Sequence, residues 1–140
     1  MPTILIADDD PLVRRMLCDV LTARGARIIE AASGEEAINL ALRVRPEIAL
    51  IDLVMPNLDG LEAIKVLRAE YPKLKIVALS GGGRNRFLDI VNLADRLGAD
   101  AVLAKPFSPK QLLDLLETQA GLKMTDSAPP RGKAEDTWSV

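Results

Sequence analysis

The residues of this chain best suited to chemistry are acidic, and each stands at the end of an apolar run. Asp8 and Asp9 follow Thr3-Ile4-Leu5-Ile6-Ala7, and Asp52 closes Glu47-Ile48-Ala49-Leu50-Ile51. Ser80 follows residues 74–79, and Lys105 follows residues 100–104. The chain has no histidine, so general acid–base work and metal ligation must fall to carboxylates, hydroxyls and amines. Three carboxylates drawn together repel, at roughly 4 kcal/mol per pair about 4 Å apart in a surrounding of effective dielectric near 20. A hard divalent cation with oxygen ligands, Mg²⁺ first among them, would relieve that repulsion through Asp8, Asp9 and Asp52. Lys105 adds a fixed positive charge and Ser80 a hydroxyl. Such a set suits the oxygens of a phosphoryl group in transfer, with Asp52 as the nucleophile that becomes an acyl phosphate.

These residues can meet only if the chain brings the ends of its apolar runs to one edge. Short β-branched runs alternate with amphipathic stretches, the pattern of βα units feeding a parallel sheet. Strands are expected over residues 3–7, 27–31, 47–52, 74–79 and 100–104. After Pro11, Leu12, Val13, Met16, Leu17, Val20 and Leu21 recur at helical spacing up to Gly25. Cys18 lies within that helix. Ser33 with Glu36, and Ser108 with Gln111, form capping boxes that open a second and a fifth helix; Pro109 occupies the first position of the latter. The second helix is expected to end near Val44 and the fifth near Ala120. Leu61, Ile64, Leu67 and Arg68 mark a third helix, and Phe87, Ile90, Val91, Ala94 and Leu97 a fourth that Gly98 closes. Asp10 and Asp59 are expected as helix caps. In an open parallel sheet, ligands collect beyond the carboxyl ends of the strands, where all five polar residues fall.

Composition narrows the classes. The chain has 140 residues, 49% of them hydrophobic, enough for one ordinary core. With 18 Lys+Arg against 20 Asp+Glu and 3% aromatics, it carries neither the charge footprint nor the stacking surface of a nucleic-acid binder. Nothing reads as a signal peptide or membrane span, so a cytoplasmic location without membrane insertion is expected. One cysteine forms no internal disulfide. The expected division is a folded domain over residues 1–120 and a polar, disordered tail over 121–140, with adjacent prolines and the chain's single Trp138.

Taken in order, Asp8-Asp9, Asp52 ahead of Met55-Pro56-x-x-Asp59-Gly60, Ser80, and Lys105-Pro106-Phe107 resemble the receiver domain of two-component response regulators, over about residues 3–120. The resemblance implies an α/β, flavodoxin-like fold: a five-stranded parallel sheet of order 2-1-3-4-5 with helices on both faces. It implies phosphorylation of Asp52, with Mg²⁺, by a sensor histidine kinase or a histidine phosphotransfer protein. Asp8, Asp9 and Asp52 would hold the metal together with the main-chain carbonyl of Val54. Ser80 would follow the phosphoryl group and Lys105 would pair with it, and the Lys105–Pro106 bond is often cis in such domains. A downstream protein would read the face formed by the fourth helix, the fifth strand and the fifth helix. The chain looks like a stand-alone receiver, a switch rather than an enzyme with an external substrate.

Position 102, where the family commonly has an aromatic, is Val102. A signal would then travel through Ser80 and the Gly81-Gly82-Gly83 segment after it. Two other readings stay open. Asp8-x-Asp10 after the first strand also suits a phosphatase of the haloacid dehalogenase type with Asp8 as nucleophile, and a pseudo-receiver would bind partners without being phosphorylated. Arg14-Arg15 on the first helix reads either as a docking patch for a histidine-bearing partner or as a solvated face.

Overall fold

Strand β1 (Thr3–Ala7) is apolar on both sides because it runs through the interior: Ile4, Leu5, Ile6 and Ala7 have no exposed surface. In the computed structural model, which describes residues 1–53, 55, 60–81, 92 and 96–118, β1 pairs in parallel with β2 (Arg27–Ala31) and with β3 (Ile48–Asp52). Strand β4 (Lys75–Ser80) pairs with β3, and β5 (Ala101–Ala104) with β4. The sheet order is β2-β1-β3-β4-β5, the order expected. Parallel neighbours cannot be joined by a tight hairpin, so helices make the crossovers and cover both faces.

Alternate strand residues point to opposite sides and build two separate cores. Ile4, Ile6, Ile48, Leu50, Val77 and Leu79 pack with helix α1 (Pro11–Ala23) and helix α4 (Pro109–Thr118). Leu5, Ala7, Ala49, Ile51, Ile76 and Ala78 pack with α2 (Gly34–Val44) and α3 (Gly60–Glu70).

The capping signals are realised in detail. Asp10 accepts the amide of Leu12 at 2.9 Å with Pro11 next to it, and Gly25, at φ +93°, ends the chain's path out of α1. Ser33 accepts the Glu36 amide, while the Glu36 carboxylate reaches back to the amide of Ala32 rather than to that of Ser33. Ser108 and Gln111 exchange both bonds, at 3.1 and 2.8 Å.

Several expectations need correction: β3 begins at Ile48 rather than at residue 47, and β4 runs Lys75–Ser80 rather than over 74–79. Leu12 is 79% exposed although its spacing falls with the apolar stripe of α1. One residue before Val13, it is turned about 100° away from that buried position, at the helix's first turn. Asp100 is not part of β5, which begins at Ala101. Its carboxylate instead accepts the Ile76 amide at 2.8 Å and pairs with Arg68 at 2.9 Å. Arg68 also donates to the carbonyls of Pro72, Leu74 and Gly98, tying α3 to the entry of β4 and of β5.

Most of the fourth predicted helix falls on residues outside those described; Asn92, Arg96 and Leu97 are helical, and Gly98 has φ +113°. Val54, Asp59, Gly82, Phe87 and the expected tail also lie outside the described residues.

Candidate functional site

Parallel strands all deliver their carboxyl ends to one edge, and the site is what β1, β3, β4 and β5 carry there. Asp8, the first residue past β1, is fully buried and is gripped at every polar atom. Its amide donates to the Ala31 carbonyl at 3.2 Å, and its Oδ1 accepts the Asp10 amide at 2.9 Å. Its Oδ2 accepts from Lys105 Nζ at 2.8 Å, and its main-chain carbonyl accepts from Arg14 Nη1 at 2.6 Å. Asp52, the last residue of β3, is 6% exposed, with Oδ2 3.6 Å from the same Lys105 Nζ. Asp9 is exposed beside them.

One carboxylate oxygen from each of Asp8, Asp9 and Asp52 lies within 4.8 Å of the others. The three oxygens are gathered closely enough that Asp8, Asp9 and Asp52 could together be offered to one divalent cation. The donor set is all oxygen, as a hard cation requires. Three carboxylates face the single ammonium of Lys105, a set whose charge a divalent cation would complement. Val54, whose carbonyl was expected as a further ligand, lies outside the described residues.

Lys105 reaches this position because β5 ends one residue earlier and its amide donates to the Ser80 carbonyl at 2.7 Å, extending the ladder beyond the strand. The Lys105–Pro106 bond is cis, as the resemblance implied. Burial pushes the ammonium pKa down, but the hydrogen bond to Asp8 and the charges of Asp52 and Asp8 outweigh it, and the net result lies above the ordinary 10.5. The stem of Lys105 lies against Gly81: a Cβ there would stand 3.1 Å from Cδ. Ser80 ends β4, 3% exposed, paired with Ala104, while its predecessor Leu79 pairs with Asp52. Ser80 therefore stands at the same edge as Asp52, one strand over.

Two contributors escaped the sequence reading. Gly60, taken only as a turn signal, packs so closely that a Cβ on it would lie 1.9 Å from the Asp52 carbonyl oxygen. Arg14, read as docking patch or solvated face, turns its guanidinium back onto Asp8 and is 21% exposed. The available signal was its position in the first turns of α1, where a helical side chain leans toward the N-terminus and so toward the Asp8–Asp10 segment. Arg15 does fit the solvated face, at 80% exposure and 4.0 Å from Asp19.

A five-stranded parallel sheet of this order, with an acidic pocket at its carboxyl edge, defines a flavodoxin-like domain of the kind built around the chemotaxis protein CheY. The chain belongs to the response regulator receiver domain family, whose model matches residues 4–117. It is 42% identical over 117 residues to the response regulator GtcR of Aneurinibacillus migulanus, covering 84% of this chain and 47% of that protein. It is 33% identical over 114 residues to the chemotaxis protein CheY of Thermotoga maritima, covering 81% of this chain and 92% of that one. Against some relatives, then, the chain spans about half their length, and against others nearly all of it. Among solved structures, the receiver domain of AraT, a response regulator from Geobacillus stearothermophilus, superposes with a TM-score of 0.76 at 31% identity, over 86% of this chain and 93% of that one. A CheY-like receiver domain protein from Methanospirillum hungatei gives 0.80 at 25% identity, over 86% and 94%. Domains of this family are signalling switches of two-component systems, phosphorylated on aspartate. No helix among the described residues is long and apolar enough to cross a membrane.

Proposed function

We propose that this domain accepts a phosphoryl group on Asp52 from a phosphohistidine of a sensor kinase or phosphotransfer protein, with Mg²⁺ held by Asp8, Asp9, Asp52 and the Val54 carbonyl. The observation that carries this reading is the shared lysine: one ammonium lies 2.8 Å from Asp8 and 3.6 Å from Asp52, with three carboxylate oxygens gathered beside it. In the transfer, an Asp52 carboxylate oxygen bonds to phosphorus as the phosphorus–nitrogen bond breaks, and the donor imidazole leaves with the electron pair and takes up a proton. Of the two buried carboxylates, Asp52 keeps some exposure, at 6%, whereas Asp8 has none. That burial also speaks against Asp8 as the nucleophile of a dehalogenase-type phosphatase. The bound cation would neutralise charge on the phosphoryl oxygens. Lys105 meets an oxygen on the other side, exchanging part of its contact with Asp8 for the arriving charge, and Ser80 offers a hydroxyl from β4.

The added negative charge changes the hydrogen bonds that Ser80 and Lys105 make, and both belong to segments leading into the region between β4 and β5 and into α4. A downstream protein would read the face of the fourth predicted helix, β5 and α4. The partnership has a parallel in a relative named sporulation initiation phosphotransferase F of Bacillus subtilis, 29% identical over 120 residues. The balanced charge favours protein partners over direct nucleic-acid contact, and a cytoplasmic setting suits both donor and target.

Incubation with Mg²⁺ and a small acyl phosphate should add one phosphoryl mass. The Asp52→Ala variant and excess chelator should each abolish it. An adduct that survives Asp52→Ala defeats the assignment, and no adduct on the wild type leaves the phosphorylation-independent reading in its place.

A further inference from the structure

Asp8 is held by four hydrogen bonds, three of which follow directly from its place in the sheet and the pocket. The fourth is different in kind. Arg14 Nη1 donates to the Asp8 carbonyl oxygen at 2.6 Å, and that oxygen belongs to the planar peptide unit joining Asp8 to Asp9. Fixing one atom of this unit orients the whole plane, and with it the directions in which the two neighbouring carboxylates leave the main chain. The guanidinium is itself steadied by Glu30 on β2, with Nε 3.4 Å from Oε1. Arg15, its neighbour on the same helix, shows that such recruitment is not general to α1: it is 80% exposed and meets Asp19 only at 4.0 Å.

We propose that Arg14 is a positioning residue for the divalent cation, acting through the Asp8–Asp9 peptide, and that Glu30 extends this support to the edge strand β2. The inference rests on the reading of Asp8, Asp9 and Asp52 as cation ligands. Two effects of the guanidinium oppose each other. Its positive charge disfavours a nearby cation, whereas its hydrogen bond holds two ligands in register. The Glu30 carboxylate offsets much of that charge, so orientation decides the sign, and losing Arg14 weakens binding. Residues that orient metal ligands contribute about 10- to 100-fold to affinity when removed, and one acting through the main chain falls at the lower end, about tenfold.

The test is calorimetric titration of Mg²⁺ into the metal-free wild type and the variants Arg14→Ala, Arg14→Lys and Glu30→Gln, with urea unfolding in chelator run alongside. Arg14→Ala should bind about tenfold more weakly. Arg14→Lys, which keeps the charge and one donor but not the fork, should recover part of the loss, and Glu30→Gln should move affinity the same way by less. Should Arg14→Ala prove unfolded, the comparison of Arg14→Lys with wild type carries the test. Wild-type uptake with equal or tighter binding in the Arg14 variants overturns the positioning role alone. A wild type that takes up no Mg²⁺ overturns the cation reading and this inference together.

Discussion

Lys105 is drawn two ways, by Asp8 at 2.8 Å and Asp52 at 3.6 Å, and its raised pKa ties that arrangement to pH. Because the folded value lies above the unfolded 10.5, the stabilisation is fully present below 10.5 and is lost as pH rises through the folded value. Metal-free wild type should therefore lose unfolding free energy on the alkaline side of about pH 10.5 more steeply than Lys105→Met, measured by urea titration at a series of pH values. Parallel profiles would show that the pairing contributes nothing to folding. At this scale the sequence was informative wherever a polar residue interrupts an apolar run, as at Asp8, Asp52, Ser80 and Lys105. Where a role depends on direction, only position along the helix carries a signal, and residue type carries none. Nothing in residue type distinguishes Arg14, folded back onto a carbonyl, from Arg15, out in solvent.

Elements are positioned by contacts of two kinds, and only one has a sequence signature. Caps announce themselves: Ser33, Ser108 and Asp10 each stand at the start of the helix that their type and spacing predicted. Close approaches do not, and Gly60 is the clearest case. Helix propensity alone would make Gly60→Ala favourable by about 1 kcal/mol. The added Cβ, however, would meet main-chain atoms of Asp52 and Leu53 at 1.9 to 2.7 Å, and a strand interior to the sheet cannot step aside as a flexible side chain would. Overpacking wins, and Gly60→Ala should lose about 2 to 3 kcal/mol, read as a lower urea midpoint, with slower phosphoryl uptake because Asp52 itself must shift. A variant as stable as wild type would mean that α3 re-docks freely. The Arg68 tie was equally hidden, since three of its acceptors are carbonyls and any residue type could have supplied them. Asp100 resembles a strand residue for a related reason: its amide donates to the Ile76 carbonyl at 2.7 Å as a ladder partner would, while its carboxylate, in place of a main-chain carbonyl, accepts the Ile76 amide.

For the molecule as a whole, the parallel sheet and its two helical layers were readable because the apolar runs are short, evenly spaced and unbroken by proline, whereas the strand order followed only from the family resemblance. None of these 140 residues is a histidine, so under the proposed mechanism the phosphohistidine donor lies outside them. The two cores on opposite sides of the sheet share no residue. Leu17 from α1 and Leu67 from α3, each without exposed surface, belong to different ones. Truncating either to alanine should cost about 2 to 5 kcal/mol. The pair should lose the sum of the two within about 0.5 kcal/mol, because coupling requires shared neighbours; a larger discrepancy in a double-mutant cycle would show the layers communicating. The sheet thus acts as a thermodynamic partition: sequence drift on the α1–α4 side and on the α2–α3 side can proceed as two nearly independent experiments, joined only by the strands whose far ends carry the site.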